Sequence, residues 1–515
     1  LIGATGWLYL HVPQAFLPEE DQGYFITIIQ APEGVSLNYT DKVIAQVEKI
    51  LLDEKEFPEV VGTFAIGGFS FSGNTANTGV IFTTLKPWKK RHEPDQSVQA
   101  IIGKVFGKVS TITEARVLPV NPPAIRGLGS FGGFQFQMQD RRGNAEIQDL
   151  LKSAQQLIGK ANMPGTGLQR VFTQFAASTP QFKVDVNRDL AKSLGIPVDT
   201  IFNTLQTALG SQYVNNFNLG QRSYRVYVQA DQAYRANPGD IGSLYVRSGE
   251  GAMVPLSSLV MVTPTTGAQT ITHFNLFRAI EISGGSAPGI SSGDGIRAMQ
   301  TLADQTLPPG FGYEWAGTAL EEVESGGLAP IIFGLGLVFV FLVLAAQYEN
   351  FIDPMIIMLS VPLAILGALA AQSLRGLPND VYCQVGLVML IGMASKNSIL
   401  IVEFANQLRE QGLSVTKAVI EASHDRVRPI LMTSFASLLG FYPLTVATGA
   451  GAPSRISLGT AVFGGLLVAT FLSLLVVPIL YIVITNLSDR VTKRPHPPES
   501  GVSIPTEKEP DVAIR

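Results

Sequence analysis

The sequence predicts a fold in two parts, a mixed α+β module followed by an α-helical membrane domain. Apolar residues make up 46% of the 515 residues and charged residues only 15%, a balance that favours a membrane protein. Short strand-like and helical patterns alternate over residues 14–327 and are separated by many turns. From Ala329 to about Ile484 the chain is strongly apolar, as a series of membrane-spanning helices requires.

The composition also excludes several classes of function. A net charge of −4 offers no basic surface, so we expect no nucleic acid partner. The single cysteine, Cys383, excludes a disulfide framework, and the histidines are too scattered to share a metal ion. Each Gly-Lys pair is followed by Val or Ala, so the P-loop pattern GxxxxGK[ST] of ATP-binding proteins is missing. We therefore expect no metal site, no cofactor and no ATP hydrolysis.

The module alternates between strands and helices in the order of βαβ units. The segment GYFITIIQAP has the composition of a strand, and SLNYTDKVIAQVEKILLDE after it has apolar residues at helical spacing. Two further strands, VVGTFAIGG and NTGVIFTTLKP, precede the helix SVQAIIGKVFGKVS. The strand-then-helix pattern recurs at QFKVDVNRDLAKSLG and at FRAIEISGGSAPGISSGDGIRAMQTLADQTL. These repeats predict two split βαβ subdomains of the ferredoxin-like kind, with another α+β insertion between them.

Residues 289–293 (GISSG) match the GxSxG pattern of hydrolases and lie between a predicted strand and a predicted helix. A hydrolase also needs an acid and a histidine later in the chain. The only later histidines, His424 and His496, lie beyond the first predicted membrane span. We therefore interpret GISSG as a turn that enters a helix, and we do not expect the chain to be an enzyme.

Five stretches are long and apolar enough to cross the roughly 30 Å hydrocarbon layer as helices of about 20 residues. The boundaries of these stretches lie near Pro354, Pro378 and Pro429. Pro362 lies inside the second span, where a kink is expected. Residues 1–13 are apolar but short, and they predict the end of a further span whose beginning is missing. The five predicted spans are 329–347, 354–372, 381–404, 429–448 and 456–484.

The basic residues outside the spans predict how the spans are oriented. The connection 405–428 and the tail 485–515 hold several of them, whereas the loops 373–380 and 449–455 hold one each. By the positive-inside rule, the connection and the tail face the cytoplasm, which places the large module outside. We expect the tail to be disordered. The basic residues concerned are Arg409, Lys417, Arg426, Arg428, Arg490, Lys493 and Arg494.

Four phenylalanines surround a loop rich in Gly, Ser and Asn within TFAIGGFSFSGNTANTGVIFTTL. Phe69 and Phe71 have the same parity along a strand and lie beside this flexible loop. One interpretation is an ordinary apolar core on pleated strands. The other is an aromatic-lined cleft beside a mobile loop, which suits apolar ligands of varied shape. The four residues are Phe64, Phe69, Phe71 and Phe82.

Lys396 interrupts the apolar third span with an ammonium group. An ionised side chain in mid-membrane costs roughly 2.5–3.5 kcal/mol on insertion scales. Glu403 is about two turns away, too far to neutralise it. Either the lysine extends to the membrane interface, or it pairs with a carboxylate and changes partner when that carboxylate is protonated. The distance from position 396 to the end of the span at Phe404 favours the second interpretation.

Several long motifs resemble those of one known family. The matching stretches are FLPEEDQGYFITIIQAPEG, GGFSFSG, TPQFKVDVNRDLAKSLGI, LPNDVYCQVGLVMLIGMASKNSILIVEFA, RVRPILMTSFASLLG and TGAGAPSR. Together they resemble the C-terminal half of a resistance-nodulation-division (RND) inner-membrane pump of the hydrophobe/amphiphile efflux type. The resemblance covers essentially the whole chain.

The resemblance implies a secondary active transporter, a proton antiporter that exports hydrophobic and amphiphilic compounds across the bacterial inner membrane. Such pumps are homotrimers with two homologous halves per subunit, and they work with a periplasmic adaptor and an outer-membrane channel. An N-terminal half with paired intramembrane acidic residues would complete this chain. On this pattern, residues 1–13 end one span, 14–127 form a first porter subdomain, 128–178 with 281–327 a second, 179–280 a docking subdomain, 328–484 the membrane domain and 485–515 a cytoplasmic tail.

The resemblance also assigns roles to individual residues of the membrane domain. Lys396 corresponds to the family's relay lysine, and Asn397 lies beside it. Thr433 corresponds to a relay threonine, and Arg426 to a basic residue near the cytoplasmic end of the same span. The four residues would form a proton relay.

In the module, Phe69 and Phe71 correspond to a flexible loop that divides two drug pockets, and Phe64 and Phe82 correspond to pocket aromatics. The chain departs from the family pattern in VLPVNPPAI, where well-known members carry aromatic residues. It departs again at Phe172, which takes the position of a pocket arginine. These departures bear on specificity rather than on mechanism.

Two other functions remain open from the sequence. A non-transporting remnant or a sensor-like homologue would bind ligands without exporting them. A metal exporter of the same superfamily would use methionine pairs to pass soft ions. Because the methionines of the module are not clustered near the aromatic residues, organic substrates are favoured.

Overall fold

The structure is a computed structural model that describes residues 2–71, 73–125, 127–143, 145–326 and 328–492, with the backbone alone for 489–492. Most of the predicted tail therefore lies outside the described residues, and with it the side chains of Arg490, Lys493 and Arg494. The described part contains two α/β units, a unit inserted into the second of them, and a group of long helices.

A short helix opens the described chain and the first α/β unit follows it. These elements are α1 (Ile2–His11), β1 (Tyr24–Gln30), α2 (Leu37–Leu51), β2 (Val60–Gly67), β3 (Thr78–Leu85), α3 (Val98–Val109) and β4 (Arg116–Val120). The four strands form an antiparallel sheet in the order β2-β3-β1-β4. Because β3 lies between the two strands that α2 connects, the unit has split βαβ connectivity.

Helices α2 and α3 cover one face of this sheet. Phe25 and Ile29 of β1 are fully buried against Val47 of α2 and Val105 of α3. The periodic apolar residues of both helices face the sheet, and each buried side chain stabilises the fold by roughly 1.5–3 kcal/mol. Ser97 begins α3 by accepting a hydrogen bond from the backbone of the first turn. The apolar periodicity of α2 and α3 and the capping of α3 therefore determine how this helical layer packs on the sheet.

The chain then forms half of a second α/β unit and a long inserted unit. The elements are β5 (Phe134–Asp140), α4 (Ile147–Ala161), β6 (Leu168–Phe172), β7 (Thr179–Val186), α5 (Arg188–Ser193), α6 (Val198–Leu205), β8 (Gln212–Leu219), β9 (Arg222–Val228), β10 (Tyr245–Arg247), β11 (Met253–Pro255) and β12 (Val260–Gly267). In the inserted unit β7 pairs with β12, β8 with β9 and β10 with β11, all antiparallel. Ile201, Leu256 and Leu259 are fully buried in its core, whereas the β8–β9 hairpin is exposed along nearly its whole length.

The second α/β unit is completed after the insertion. Its remaining elements are β13 (Thr272–Phe274), β14 (Phe277–Ser286), α7 (Ser292–Thr306), β15 (Phe311–Ala316) and α8 (Gly317–Ser325). The sheet runs β13-β14-β5-β15, with β6 also paired to β14. The strands β6, β14, β5 and β15 thus repeat the connectivity of the first unit. Strand β14 begins at Phe277, four residues before the boundary predicted at 281.

The GISSG turn leads into α7. The hydroxyl of Ser291 accepts a hydrogen bond from the backbone N–H of Asp294 and so caps the helix. The same hydroxyl lies 2.7 Å from a carboxylate oxygen of Asp294. This geometry confirms the interpretation of residues 289–293 as a helix-entry turn.

The remaining helices are α9 (Ala329–Tyr348), α10 (Ile352–Met358), α11 (Val361–Leu374), α12 (Val381–Glu410), α13 (Val415–Thr445) and α14 (Ala452–Thr492). Within the described residues, four helical stretches are long and apolar enough to cross a membrane: Ala329–Tyr348, Ile352–Leu374, Val381–Glu410 and Ala452–Ser488. They agree with four of the five predicted spans. The second is interrupted between α10 and α11, immediately before Pro362, where a kink was expected.

The predicted span 429–448 differs from the structure. It falls mostly inside α13, whose composition is too polar for it to count among the four apolar stretches. The prediction that Pro429 marks a boundary is wrong, because α13 continues through both Pro429 and Pro443. A proline inside a helix removes one backbone hydrogen bond, which neighbouring helices compensate in a packed bundle.

Helix α14 packs closely against α11. A side chain on Gly367 would place its Cβ 2.6 Å from the carbonyl oxygen of Gly464, and a side chain on Gly464 would meet Ala371. Small residues here let the two backbones approach, as is usual for helices packed within lipid. These contacts assemble the long helices into one group.

A junction segment, residues 13–16, connects the long helices with the second α/β unit. Its backbone bonds Asn379, two residues before the start of α12, and it also bonds the first turn of α7. The segment therefore contacts two helices that lie in different parts of the molecule. The bonds run from Asn379 N to Pro13 O (2.8 Å), Ala15 N to Asn379 O (3.3 Å), Gly293 N to Gln14 O (3.3 Å) and Phe16 N to Ser292 Oγ (3.4 Å).

Candidate functional site

A cleft of about 100 Å³ lies where the two α/β units and the inserted unit meet. The first unit contributes the end of β1 and the loops that follow β1 and β2. The second contributes β6, β14 and the segment after β6, and the inserted unit contributes the segment before β13. Gln, Ser, Thr and Asn side chains form much of the lining. Its described charged and aromatic members are Glu33, Glu281, Phe131, Phe172 and Phe175.

A row of four phenylalanine rings runs from the first unit to the second. Ring centroids are 5.7 Å apart between Phe69 and Phe71, 5.2 Å between Phe71 and Phe131, and 6.1 Å between Phe131 and Phe172. The first two pairs meet edge to face, the arrangement that the aromatic quadrupole favours. At the end of the row, the guanidinium of Arg116 lies 5.7 Å from the Phe172 ring centroid. Phe131 and Phe172 of this row line the cleft and give it an aromatic wall, and Phe71 packs behind Phe131.

A β-bulge turns Phe172 towards this wall. Arg170 has a φ of 50°, and the pairing of β6 with β14 shifts between Ser283 and Gly285. Because the bulge inserts an extra residue, Val171 packs in the core beneath the helices while Phe172 contacts the outer face of the first sheet. Regular alternation along β6 would not have produced this arrangement.

The two sheets differ on the faces that point away from their helices. On the first sheet, Ile26, Ile28 and Val80 form an apolar cluster with Phe131 and Phe172. On the second, alternate residues of β5 are buried glutamines, one of which hydrogen-bonds the glutamate of β14 that lines the cleft. The cleft thus combines an apolar wall with a polar one, which suits an amphiphilic ligand. The polar residues are Gln135, Gln137, Gln139 and Glu281.

Phe69 and Phe71 belong to the aromatic row, but neither lies on a strand. Strand β2 ends at Gly67, and Gly68 has a φ of 74°, so the interpretation that the two phenylalanines share strand parity is wrong. They lie in the following loop, where Phe71 is 39% exposed. Their position depends on packing between the rings rather than on a pleat.

Phe64 and Phe82 form a separate pair. They are directly opposite each other across β2 and β3, with ring centroids 6.3 Å apart. Phe64 is 64% exposed, and neither residue lines the cleft. The structure therefore brings two of the four predicted phenylalanines, Phe69 and Phe71, into the aromatic row behind Phe131, and none of the four lines the cleft itself.

In the membrane domain, Lys396 lies within α12 and its side chain is exposed. It has no hydrogen bond or ion pair with any described residue. The next residue, Asn397, is 5% exposed, and its Nδ2 lies 3.5 Å from Ser434 Oγ on α13. Because consecutive helical residues point about 100° apart, the two side chains occupy different sides of α12. One side is packed within this chain, and the other presents a lysine.

Two contacts align α12 and α13 as antiparallel neighbours. One is the pair Asn397 and Ser434, and the other is the guanidinium of Arg426, 4.3 Å from the ring centroid of Phe404. The contacts are about two helical turns apart on each helix. Thr433, adjacent to Ser434, lies at the level of Asn397, and its hydroxyl donates to a carbonyl of its own helix. The structure therefore separates Arg426 from the other three predicted relay residues.

Glu322 of α8 carries a partly buried carboxyl beside the junction segment. The hydroxyl of Ser292 donates a hydrogen bond of 2.8 Å to its Oε1. Burial raises the pKa of Glu322 to about 7, and the smaller opposing effects of Ser292, the Phe16 N–H and Arg297 do not cancel it. This carboxyl therefore titrates near neutral pH, at the point where the second unit leads into α9.

Comparisons with known proteins identify the relatives of this chain. The AcrB/AcrD/AcrF family profile matches residues 1–485. The multidrug resistance protein MdtF of Escherichia coli (strain K12) is 42% identical over 487 residues, 94% of this chain and 47% of that protein. The multidrug export protein AcrF of the same strain is 42% identical over 478 residues, 93% of this chain and 46% of that protein. The multidrug/solvent efflux pump membrane transporter MepB of Pseudomonas putida is 41% identical over 481 residues, 93% of this chain and 45% of that protein.

The chain spans about half the length of the curated relatives it matches. The match nevertheless covers the α/β units, the inserted unit and the long helices with one family profile. This agrees with the resemblance noted from the sequence motifs. The chain belongs to the AcrB/AcrD/AcrF family of RND transporters.

Proposed function

We propose that this chain forms one half of a proton-driven exporter of hydrophobic and amphiphilic compounds, acting with an N-terminal half as part of a tripartite RND pump. The observation that carries this proposal is the cleft between the two α/β units, with its row of phenylalanines on one side and Glu281 on the other. Aromatic faces tolerate ligands of many shapes, and a few fixed polar groups orient them. A pump with a broad substrate range needs this combination.

The α/β units supply the parts that such a pump moves. Residues 14–127 would form one porter subdomain, and 128–178 with 281–327 a second. Their shared split βαβ connectivity and the cleft between them support this assignment. Residues 179–280 would form a docking subdomain, since they fold around a core of their own. Relative motion of the two porter subdomains would open and close the cleft.

Lys396 would couple this motion to proton flow. Its exposed side chain on an apolar helix needs a negatively charged partner, because an unpaired ammonium in lipid is costly. Paired carboxylates from the N-terminal half would provide that partner. Protonation of the carboxylates would release Lys396 and change the packing of α12. Asn397 and Thr433, at the same level of α12 and α13, would complete the relay, with Arg426 about two turns away.

The exposed β8–β9 hairpin supports a function within an assembly. Tyr213, Phe217, Tyr224 and Tyr227 are all exposed on it and form two ring pairs. Exposed aromatic side chains concentrated on one hairpin are typical of a surface that another protein covers. In the proposed pump this surface would contact other subunits of a homotrimer or a periplasmic adaptor, which in turn would lead to an outer-membrane channel. The pump would lie in the inner membrane with the module in the periplasm.

The proposal is tested by producing the chain together with an N-terminal half in cells that lack other exporters. We expect a fluorescent amphiphile to be exported, and a protonophore should abolish the export. Binding of the amphiphile without export, in cells where both halves are present and assembled, would contradict the proposal and indicate a sensor-like homologue. Export that persists after the proton gradient is removed would contradict proton coupling.

A further inference from the structure

The charge of the cleft is unbalanced. Among the described residues that line it, Glu33 and Glu281 are the only charged ones, and both are acidic. Glu33 comes from the loop after β1 in the first unit, and Glu281 from β14 in the second. A ligand between the two units would therefore meet a carboxylate contributed by each of them.

Glu281 is held by neutral hydrogen-bond donors. Gln137 Nε2 donates to its Oε2 at 2.9 Å, and the hydroxyl of Ser283 donates to its Oε1 at 3.3 Å. The first donor lies on the neighbouring strand β5 and the second lies two residues further along β14. Such bonds fix the orientation of the carboxylate without neutralising its charge.

Glu33 is held in the same way. Asn77 Nδ2 donates to its Oε1 at 3.0 Å, and the hydroxyl of Thr179 donates to its Oε2 at 2.7 Å. Because Thr179 belongs to β7, this carboxylate links the first unit to the inserted unit. Neither Glu33 nor Glu281 forms an ion pair within the described part of the chain. Their negative charge is directed at whatever fills the cleft.

The aromatic wall also favours positive charge. The face of a phenylalanine ring attracts cations within about 6 Å of its centroid. The guanidinium of Arg116 at 5.7 Å from the Phe172 centroid shows that a cation is accommodated against this ring. Arg116 does not itself line the cleft. Phe131 and Phe175 add further ring surface to the lining.

From this geometry we infer that the cleft selects organic cations over organic anions of the same size, with Glu281 and Glu33 as the residues that determine the selection. The inference rests on the proposed function and specifies the class of substrate. Electrostatic attraction is strong in a partly buried cleft because water screens it less there. An aromatic cation would place its rings on the phenylalanines and its charge near the two carboxylates, whereas an anion of the same shape would be repelled by both.

Two ions of equal shape and opposite charge test the inference. Tetraphenylphosphonium and tetraphenylborate each compete with the neutral dye Nile red for export by the complete pump in proteoliposomes, with a pH gradient and no membrane potential. The quantity measured is the concentration of each ion that halves dye transport. We expect Glu281→Gln and Glu33→Gln each to raise this concentration about tenfold for the cation and to leave it unchanged or lower for the anion.

Glu314→Gln is the matched control. Glu314 lies on β15, the other neighbour of β5, and is directly opposite Gln137 in the sheet, just as Glu281 is on β14. Unlike Glu281, it does not line the cleft. This variant should leave both concentrations unchanged. Because Nile red is neutral, its transport by every variant also reports whether the protein is folded and active.

The possible results separate the inference from the function on which it rests. If wild type does not export Nile red, the proposed function fails and the inference fails with it. If Nile red is exported but the cation and the anion respond alike to Glu281→Gln and Glu33→Gln, the inference alone is overturned. A tenfold loss for the cation in either variant, with the control unchanged, supports it.

Discussion

The cleft and the lysine of α12 differ in how much of each site this chain supplies. The cleft is built from three units of the same chain. The ring contacts and hydrogen bonds that shape it are made between residues of this chain. Lys396, by contrast, has an exposed ammonium without a partner among the described residues. In the proposed pump, substrate selection would therefore depend on residues of this chain, whereas energy coupling would require groups supplied from outside the described residues.

This difference predicts two distinct kinds of mutant. A change at the coupling site should reduce the export of every substrate by the same factor, because it removes the driving force. A change in the cleft should alter the ranking of substrates while coupling persists. The predictions below test the distinction in order of expected effect.

The largest effect is expected at the coupling site. Lys396→Met should abolish export of all substrates in the complete pump, while expression and assembly remain normal. The reason is that the proposed relay loses the positive charge that α12 contributes to it. Export is measured for one large and one small substrate. Lys417→Met is the control, since Lys417 is also exposed and lies on the neighbouring helix α13. Export at the wild-type level by Lys396→Met would exclude the relay assignment.

An intermediate effect is expected from the aromatic row. Phe69 and Phe71 changed together to Ala should reduce export of large aromatic substrates by about tenfold and of small ones much less, because the loop then loses its ring contacts with Phe131. Drug susceptibility across a graded series of substrate sizes checks this. Phe106→Ala, on the exposed side of α3, is the control. A uniform loss for all sizes would contradict the division between cleft and coupling site.

The smallest effect concerns the connection between the two sites. The pKa of Glu322, about 7, lies above its usual value of 4.5, so the stability that its neutral form contributes is present in full below pH 4.5 and is lost as the pH rises through 7. Glu322→Gln should remove this pH dependence, which we expect to be on the order of 1 kcal/mol after allowance for partial exposure.

Tryptophan fluorescence during thermal unfolding at pH 5 and pH 8 measures this dependence. The variant should match wild type at pH 5 and unfold at a higher temperature at pH 8. Glu321→Gln is the control, because Glu321 is adjacent and exposed. An equal change at both pH values would mean that the carboxyl acts only through packing.

Much of the fold could be predicted because its signals are local. The helices α2 and α3 have apolar residues at helical spacing, and four spans have sufficient apolar length. The helix-entry turn at Ser291 also follows from local capping chemistry. The interruption of the second span before Pro362 was predictable from the fixed φ of proline.

The features that sequence reasoning missed depend on contacts between distant residues. Glu33, Phe131 and Glu281 come from three separate segments, and no spacing in the sequence relates them. The family resemblance placed Phe172 at a pocket position, but the bulge at Arg170 that turns Phe172 towards the cleft has no local signal, because β6 has no glycine at that position. The continuation of α13 through Pro429 depends on neighbouring helices and not on its own residues.

The junction segment, residues 13–16, has a mechanical consequence. It is hydrogen-bonded to Asn379 at the head of the lysine-bearing helix and to the first turn of α7, which lies beneath the sheet that carries Glu281. An axial shift of α12 would therefore be transmitted to the floor of the cleft through three main-chain hydrogen bonds and one from the Phe16 N–H to the Ser292 hydroxyl. A rearrangement around Lys396 could thus change the spacing between Glu281 and Phe71, and the lysine and the substrate would never need to be in contact.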